Sequence, residues 1–266
     1  MEDLLGLLTN NGAIELWALA LVVAGLFLAG FVDSIAGGGG LISIPVFMIA
    51  GLPIHSVIAT NKLSMSMGTA VATAKYLREG FMRWRLIAPC LVCALVGSSA
   101  GATCSLLASG TMLRVLMLVV IPVAGFYVLR TKNMDDAKPA WPPAREALTC
   151  AAIALGVGFY DGLYGPGTGT FLMLLLTGLG HLRLTDAAGT TKAINLTTNV
   201  CALVVFLVNG AVMVPLGLLA GAFNIAGNYL GASLFTKKGA GIARPLILAV
   251  LVVFAVRVVC ELAGVV

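Results

Sequence analysis

Two stretches of this sequence repeat each other and interrupt apolar sequence in the same way. Gly30 to Gly40 reads Gly-Phe-Val-Asp-Ser-Ile-Ala-Gly-Gly-Gly-Gly, then an apolar run to Pro53, then Thr60-Asn61-Lys62. Gly158 to Gly169 reads Gly-Phe-Tyr-Asp-Gly-Leu-Tyr-Gly-Pro-Gly-Thr-Gly, then an apolar run, then Thr190-Thr191-Lys192. Asp33 pairs with Asp161, Gly37 with Gly165 and Gly39 with Gly167 at a shift of 128. Thr60 then pairs with Thr190, Lys62 with Lys192, Gly80 with Gly210, Gly97 with Gly227, Gly101 with Gly231 and Arg114 with Arg244 at a shift of 130. Nine matches in register, one of them a pair of lysines, exceed what chance supplies even in a chain with 32 glycines. The chain is a duplication.

The surroundings of the repeat decide its solvent. Of 266 residues, 60% are hydrophobic and 10% charged, with a mean hydropathy of +1.05. A soluble domain carries roughly 25% charged residues. The fold class expected is therefore an all-α polytopic membrane protein. Glu2 and Asp3 with no basic residue before Lys62 lack the positive start of a cleaved signal, so Trp17 to Val32 reads as a retained span.

Apolar segments run over 14–33, 41–52, 55–77, 86–108 and 112–129, and again over 147–164, 171–179, 187–208, 212–235 and 242–262. A polar, proline-bearing break lies between them. The domains are accordingly an N-terminal membrane repeat (1–132), a polar linker (133–144) and a C-terminal membrane repeat (145–266). Each half holds four full spans and one short segment, 41–52 or 171–179. A segment that short must cross as a broken helix or re-enter.

Loop charges speak to orientation. Arg78, Arg83 and Arg85 flank one loop, Arg130, Lys132, Lys138 and Arg145 another, and Lys237, Lys238 and Arg244 a third; His181 and Arg183 follow the second short segment. The loop near Gly210 is bare. Basic loops face the cytoplasm, which puts Gly80 inside and its partner Gly210 outside. The halves are therefore expected to be inverted, with both termini outside.

Burying a charge in hydrocarbon is costly, so such residues are functional candidates. Asp33 and Asp161 end apolar helices just before glycine turns. Two roles are open for them: a structural acid that caps the next helix or pairs with the lysine of its own repeat, or a titratable acid that carries a coupling proton. Lys62 and Lys192 lie too deep to snorkel easily and need an anion, either the aspartate or a ligand. Glycine turns with free backbone amides beside them suit an anion site. Asn61, Ser64, Thr190, Thr191, Asn195 and Asn199 supply neutral donors. Asn195 and Asn199 share a helix face with Lys192. Polar glue between helices is the plainer role. The substrate-binding set expected is Lys62, Lys192, Asn61, Thr191, Asn195, Gly39, Gly167 and Thr168.

Other chemistry is not expected. The glycines at 165–169 lack the Gly-Lys-Ser/Thr of a phosphate loop. Six cysteines sit in apolar surroundings, and Cys90 with Cys93 lacks a second pair. No catalytic or metal-ligand cluster, cofactor motif or nucleic-acid signature appears, so the chain reads as no enzyme.

The motifs at 30–40, 59–63 and 158–169 resemble those of the sulfite exporter TauE/SafE family of membrane permeases, in the same order along nearly the whole chain. The resemblance implies a multi-pass carrier in the cytoplasmic membrane for sulfur-containing anions such as sulfite or sulfoacetate, working in export. The function expected is a secondary transporter of small anions by alternating access between the repeats. A channel and a non-transporting membrane scaffold are the rivals. The partners expected are a small anion, the lipid bilayer and a coupling proton. Oligomeric state stays open, a homodimer included.

Overall fold

The computed structural model describes residues 15–109, 112, 141–239 and the helical positions 241–243, 245–247, 249, 250, 252 and 256. Eight helices are defined within it. The first group is α1 (Leu16–Ala36), α2 (Gly40–Ile49), α3 (Ile54–Arg78) and α4 (Trp84–Leu107). The second is α5 (Pro143–Leu163), α6 (Thr168–Gly178), α7 (Leu184–Val208) and α8 (Val214–Lys238). No strand occurs among the described residues. The spans expected over 112–129 and 242–262, and the linker, fall almost wholly outside them.

The duplication is visible in the elements themselves. Helices α3 and α7 are both 25 residues long and begin 130 positions apart, and α4 and α8 begin at the same shift. Five helices (α1, α4, α5, α7 and α8) are long and apolar enough to cross a bilayer. Helix α3 is as long as α7, but Asn61, Lys62, Ser64 and Ser66 within it lower its hydropathy. Large apolar side chains such as Trp84, Val92, Val96, Leu107, Val204 and Val208 point outward. In water such a surface would aggregate; in lipid it is solvated.

The short segments are the returning arms of hairpins. Helix α1 ends at Gly37, whose φ of 75° places it in the left-handed region and whose amide donates to the Asp33 carbonyl at 2.8 Å. Helix α2 then runs back along α1, with Val46 packed on Gly25. Helices α5 and α6 form the equivalent hairpin through Gly165 and Gly167, with φ of 96° and 77°. The two tips meet. The Thr170 amide donates to the Gly37 carbonyl at 3.2 Å, and Thr170 Oγ1 donates to the Ala36 carbonyl at 2.7 Å. A Cβ on Gly37 would lie 2.1 Å from the Gly169 carbonyl carbon, so the tips touch backbone to backbone.

Small residues let the long helices approach in parallel groups. Gly227 and Gly231 of α8 lie on the Phe27 and Phe31 carbonyls of α1, and Gly97 and Gly101 of α4 on the Leu155 and Phe159 carbonyls of α5. Each helix pair advances in step, so α8 runs parallel to α1, and α4 parallel to α5. Each half thus lends its last described long helix to the other half's hairpin. Between the groups, α3 and α7 run antiparallel: Met213, just past α7, donates its amide to Thr60 Oγ1 at 3.0 Å, while Thr73 Oγ1 donates to the Lys192 carbonyl at 3.1 Å.

These directions gather the loop cations at one end of the molecule. The end of α3 (Arg78), the starts of α4 (Arg83, Arg85), α5 (Arg145) and α7 (Arg183), and the end of α8 (Lys237, Lys238) all lie there. Arg83 makes a bidentate pair with Glu146, 2.9 Å in each arm, joining α4 to α5. At the opposite end the described turns 50–53 and 209–213 carry no lysine or arginine.

Candidate functional site

Lys62 and Lys192 are each the ninth residue of a 25-residue helix. At a rise of about 1.5 Å per residue, each sits about 12 Å in from its helix start. Both are 1% exposed, and Asp33 and Asp161 are 3% and 4% exposed. The four charges cancel, which is the condition for holding them in an apolar bundle.

The pairing crosses between the repeats. Lys62 Nζ lies 2.7 Å from Asp161 Oδ2, and Lys192 Nζ lies 2.6 Å from Asp33 Oδ2. Pairing with the lysine of the same repeat, the expectation above, is not what forms. Asp33 sits at the tip of its hairpin, and that tip reaches the helix of the opposite half. Each lysine therefore meets the incoming hairpin of the other repeat.

The two pairs differ in detail. Lys192 donates to Asp33 Oδ2 and also to the Asp33 carbonyl at 2.5 Å, clamping the last turn of α1. Lys62 donates to Asn199 Oδ1 at 3.2 Å. Its contact with Asp161 Oδ2 is an ion pair, and among the described residues no donor is aligned on that oxygen. The other carboxylate oxygen, Asp161 Oδ1, faces Thr168 Oγ1 at 2.7 Å.

A cavity opens where the tips meet the crossing of α3 and α7. It is lined by Asp33, Asn61, Lys62, Met65, Asp161, Thr168, Asn195 and Asn199, with Gly37, Gly40, Gly165 and Gly169 as its floor. Asn61 Oδ1 accepts from Ser43 Oγ at 2.6 Å, which ties α3 to α2. Asn195 is 4% exposed and its Oδ1 has no hydrogen-bond partner among the described residues. Around Lys62 the cavity therefore offers amide and hydroxyl groups on one side and the apolar Met65 on another.

Of the residues read from sequence, Lys62, Asn61, Asn195 and Thr168 line this cavity, as do Asp33 and Asp161. Lys192, Thr191, Gly39 and Gly167 do not line it. Lys192 is turned onto Asp33. Thr191 is fully buried with its hydroxyl unpartnered. Gly167 caps α6 with its positive φ. Gly39 has an ordinary φ of −55°, and a Cβ there would lie 2.6 Å from the Asp33 Cβ. Its room serves α1 and not a ligand. Sequence reasoning missed Met65. Its signal was present: Met65 is the repeat partner of Asn195, so the two halves differ there. Among the described residues no group of acidic, histidine or cysteine side chains is arranged to hold a metal.

Comparison with known proteins agrees over nearly the whole chain. The family described as "Sulfite exporter TauE/SafE" matches residues 21–258. A probable membrane transporter protein of a Sinorhizobium species is 36% identical over 91% of this chain and 93% of its own. One from Haemophilus influenzae is 32% identical over 88% and 91%. The probable membrane transporter protein YfcA of Escherichia coli is 33% identical over 89% and 88%. No solved structure matches.

Proposed function

The chain belongs to the sulfite exporter TauE/SafE family of membrane transporters, and from that membership we propose that it carries small sulfur-containing anions outward across the cytoplasmic membrane. It is a multi-pass membrane protein and not an enzyme. The substrate class is sulfite or an organosulfonate. The carrier works by alternating access between two repeats, residues 1–132 and 145–266, joined by the linker 133–144.

One observation carries this reading: a lysine paired with Asp161 faces a cavity lined by amides and a hydroxyl, deep in an apolar bundle and at the meeting point of two broken helices. An anion there meets a lysine ammonium and several neutral donors in a buried site of low dielectric, so each contact counts for more than it would in bulk solvent. Lys62 neutralises the anion. Asn61, Asn195, Asn199 and Thr168 orient it. Lys192, Thr191, Gly39 and Gly167 shape the site from behind the lining.

The repeats are inverted across the membrane. The antiparallel course of α3 and α7 and the clustering of cations at one end support this, because basic loops stay cytoplasmic. Movement of one helix group against the other about the touching tips would open the cavity to each side in turn.

The test is transport in proteoliposomes holding the full chain, with labelled sulfite, thiosulfate and methanesulfonate supplied on either side. The expected result is saturable movement of at least one sulfur anion, abolished by Lys62→Met. Absence of movement for all three would overturn the substrate class. Accumulation driven only by diffusion, at channel-like rates, would overturn the carrier.

A further inference from the structure

Thr168 Oγ1 lies 2.7 Å from Asp161 Oδ1 and also 2.7 Å from the Gly165 carbonyl oxygen. Both neighbours are acceptors when Asp161 is ionised, and a threonine hydroxyl has one hydrogen. One of the two contacts is then an acceptor facing an acceptor. A proton on Asp161 Oδ1 resolves this, because Oδ1–H donates to Thr168 Oγ1 while the Thr168 hydroxyl donates to the Gly165 carbonyl. The place for a proton is already built.

The first repeat has no such place. The residue equivalent to Thr168 is Gly40, at the same shift of 128 that relates Asp33 to Asp161. Asp33 instead takes Lys192 on both its carboxylate and its main-chain carbonyl. Only one of the two symmetry-related carboxylates has a hydroxyl placed against it.

Charge balance supplies the reason to use it. Asp33, Lys62, Asp161 and Lys192 sum to zero, and no other charged side chain lines the cavity among the described residues. A monoanion entering alone would leave a net negative charge buried in the bundle, which is costly at membrane depth. We propose that Asp161, with Thr168 as its hydrogen-bond relay, takes up one proton for each monoanion bound at Lys62, so that the loaded and empty carriers are both neutral. This rests on the anion-site reading of the cavity.

The step balances without redox chemistry or any covalent change beyond the proton. The Lys62 ammonium leaves Asp161 Oδ2 for the incoming anion, and a proton from the water on the same side binds Asp161 Oδ1. Release reverses both. The titratable and charged groups around Asp161 are Lys62 from α3, the Asp33–Lys192 pair from α1 and α7, and Tyr160 and Tyr164 beside it in the chain. Tyr76 of α3 donates to the Ser34 carbonyl at 2.6 Å, next to Asp33. Helices α2 and α6 contain no titratable residue, and α4 presents Ser98, Gly101 and Ala102.

The test uses methanesulfonate, whose charge does not change with pH, so any proton that moves belongs to the protein. In proteoliposomes with a trapped pH dye and a potassium diffusion potential, wild-type transport is expected to acidify the receiving side by one proton per sulfonate and to ignore the potential. Thr168→Ser should keep that coupling. Thr168→Val, which removes the hydroxyl at nearly constant volume, and Asp161→Asn should lose it. Neutralising the other pair as a whole, Asp33→Asn with Lys192→Met, keeps the charge sum at zero and should leave the ratio unchanged in whatever fraction folds. Sulfonate movement in wild type that follows the potential without proton movement overturns the coupling alone and leaves the anion site standing. Loss of coupling in the Asp33→Asn, Lys192→Met double variant, or its retention in Asp161→Asn, overturns the assignment to Asp161. No sulfonate movement in any arm removes the anion reading and this inference with it.

Discussion

At the first hairpin tip, Lys192 holds Asp33 by its carboxylate and by its main-chain carbonyl, and Lys192 itself does not line the cavity. At the second, Lys62 faces the cavity, donates to Asn199, and touches an Asp161 oxygen that has no aligned donor. The residues are equivalent and the hydrogen-bond geometry is not. The difference comes from neighbours that the duplication did not preserve. Thr168 stands where the first repeat has Gly40, Asn199 where it has Thr69, and Asn195 where it has Met65. A duplicated charge pair can thus be divided between two tasks, one holding the tips together and one, under the proposed function, meeting a ligand.

The sharpest way to break that contrast is to remove each lysine. Lys192→Met strands Asp33 in the bundle, and losing one partner of a buried pair typically costs about 3–5 kcal/mol. A drop of that size in detergent-solubilised thermal stability is expected, with rescue when Asp33→Asn is added. Lys62→Met should lower folded yield less, because Asp161 keeps Thr168 and the cavity beside it. If both substitutions destabilise equally, the two pairs do the same work and the division fails.

The tips provide the next test. Gly37→Ala places a Cβ 2.1 Å from the Gly169 carbonyl carbon at a φ of 75°. Overpacking and left-handed strain together cost about 2–5 kcal/mol. Expression and monodispersity should fall. Gly51→Ala has a similar φ of 90° but open space around it, and should cost only the strain, about 1–2 kcal/mol. Equal losses at both sites would mean that tip contact contributes nothing.

Ligand affinity sharpens the comparison from the other side. Lys62→Met should weaken anion binding by about 1.5–3 kcal/mol, the scale of a charge-assisted hydrogen bond. Binding isotherms with methanesulfonate would measure it. In the Lys62→Met, Asp161→Asn double variant the protein should be stable and still fail to bind. Restored binding there would make Lys62 a structural ion-pair partner like Lys192.

The smallest effect belongs to the cationic end. Glu146→Gln breaks the bidentate pair with Arg83, whose side chain is 48% exposed. Glu146 is buried while the arginine end is open to solvent, and that screening holds the pair to about 1 kcal/mol, less in salt. A modest loss of thermal stability that vanishes at high ionic strength is expected, with transport unchanged. A transport defect would extend the functional region beyond the tips.

Much was legible in the sequence for simple reasons. Apolar runs longer than about 18 residues have few fates, and Asp33, Lys62, Asp161 and Lys192 stood out because charges are rare in them. The register of the duplication was readable from paired residues alone, and the helix starts repeat it. The glycine turns marked where the helices break, since a left-handed φ at Gly37 and Gly167 excludes most side chains. The short segments were recognised as too short to cross alone, and of the two paths left open, crossing or re-entering, the structure takes the returning hairpin.

What the sequence by itself determined was local: which runs are helical, where they break, which charges are buried, and that every one of these features occurs twice. What only the tertiary structure decided was which copies meet. Pairing Asp33 with Lys192 and Asp161 with Lys62 depends on two hairpin tips touching across a pair of antiparallel helices, a relation between residues 159 and 99 positions apart. Hydropathy and spacing describe one segment at a time, and two lysines with identical local sequence positions look the same to them. Their partners differ because a buried ammonium takes whatever oxygens its surroundings bring within about 3 Å, and those surroundings are assembled from the opposite half of the chain.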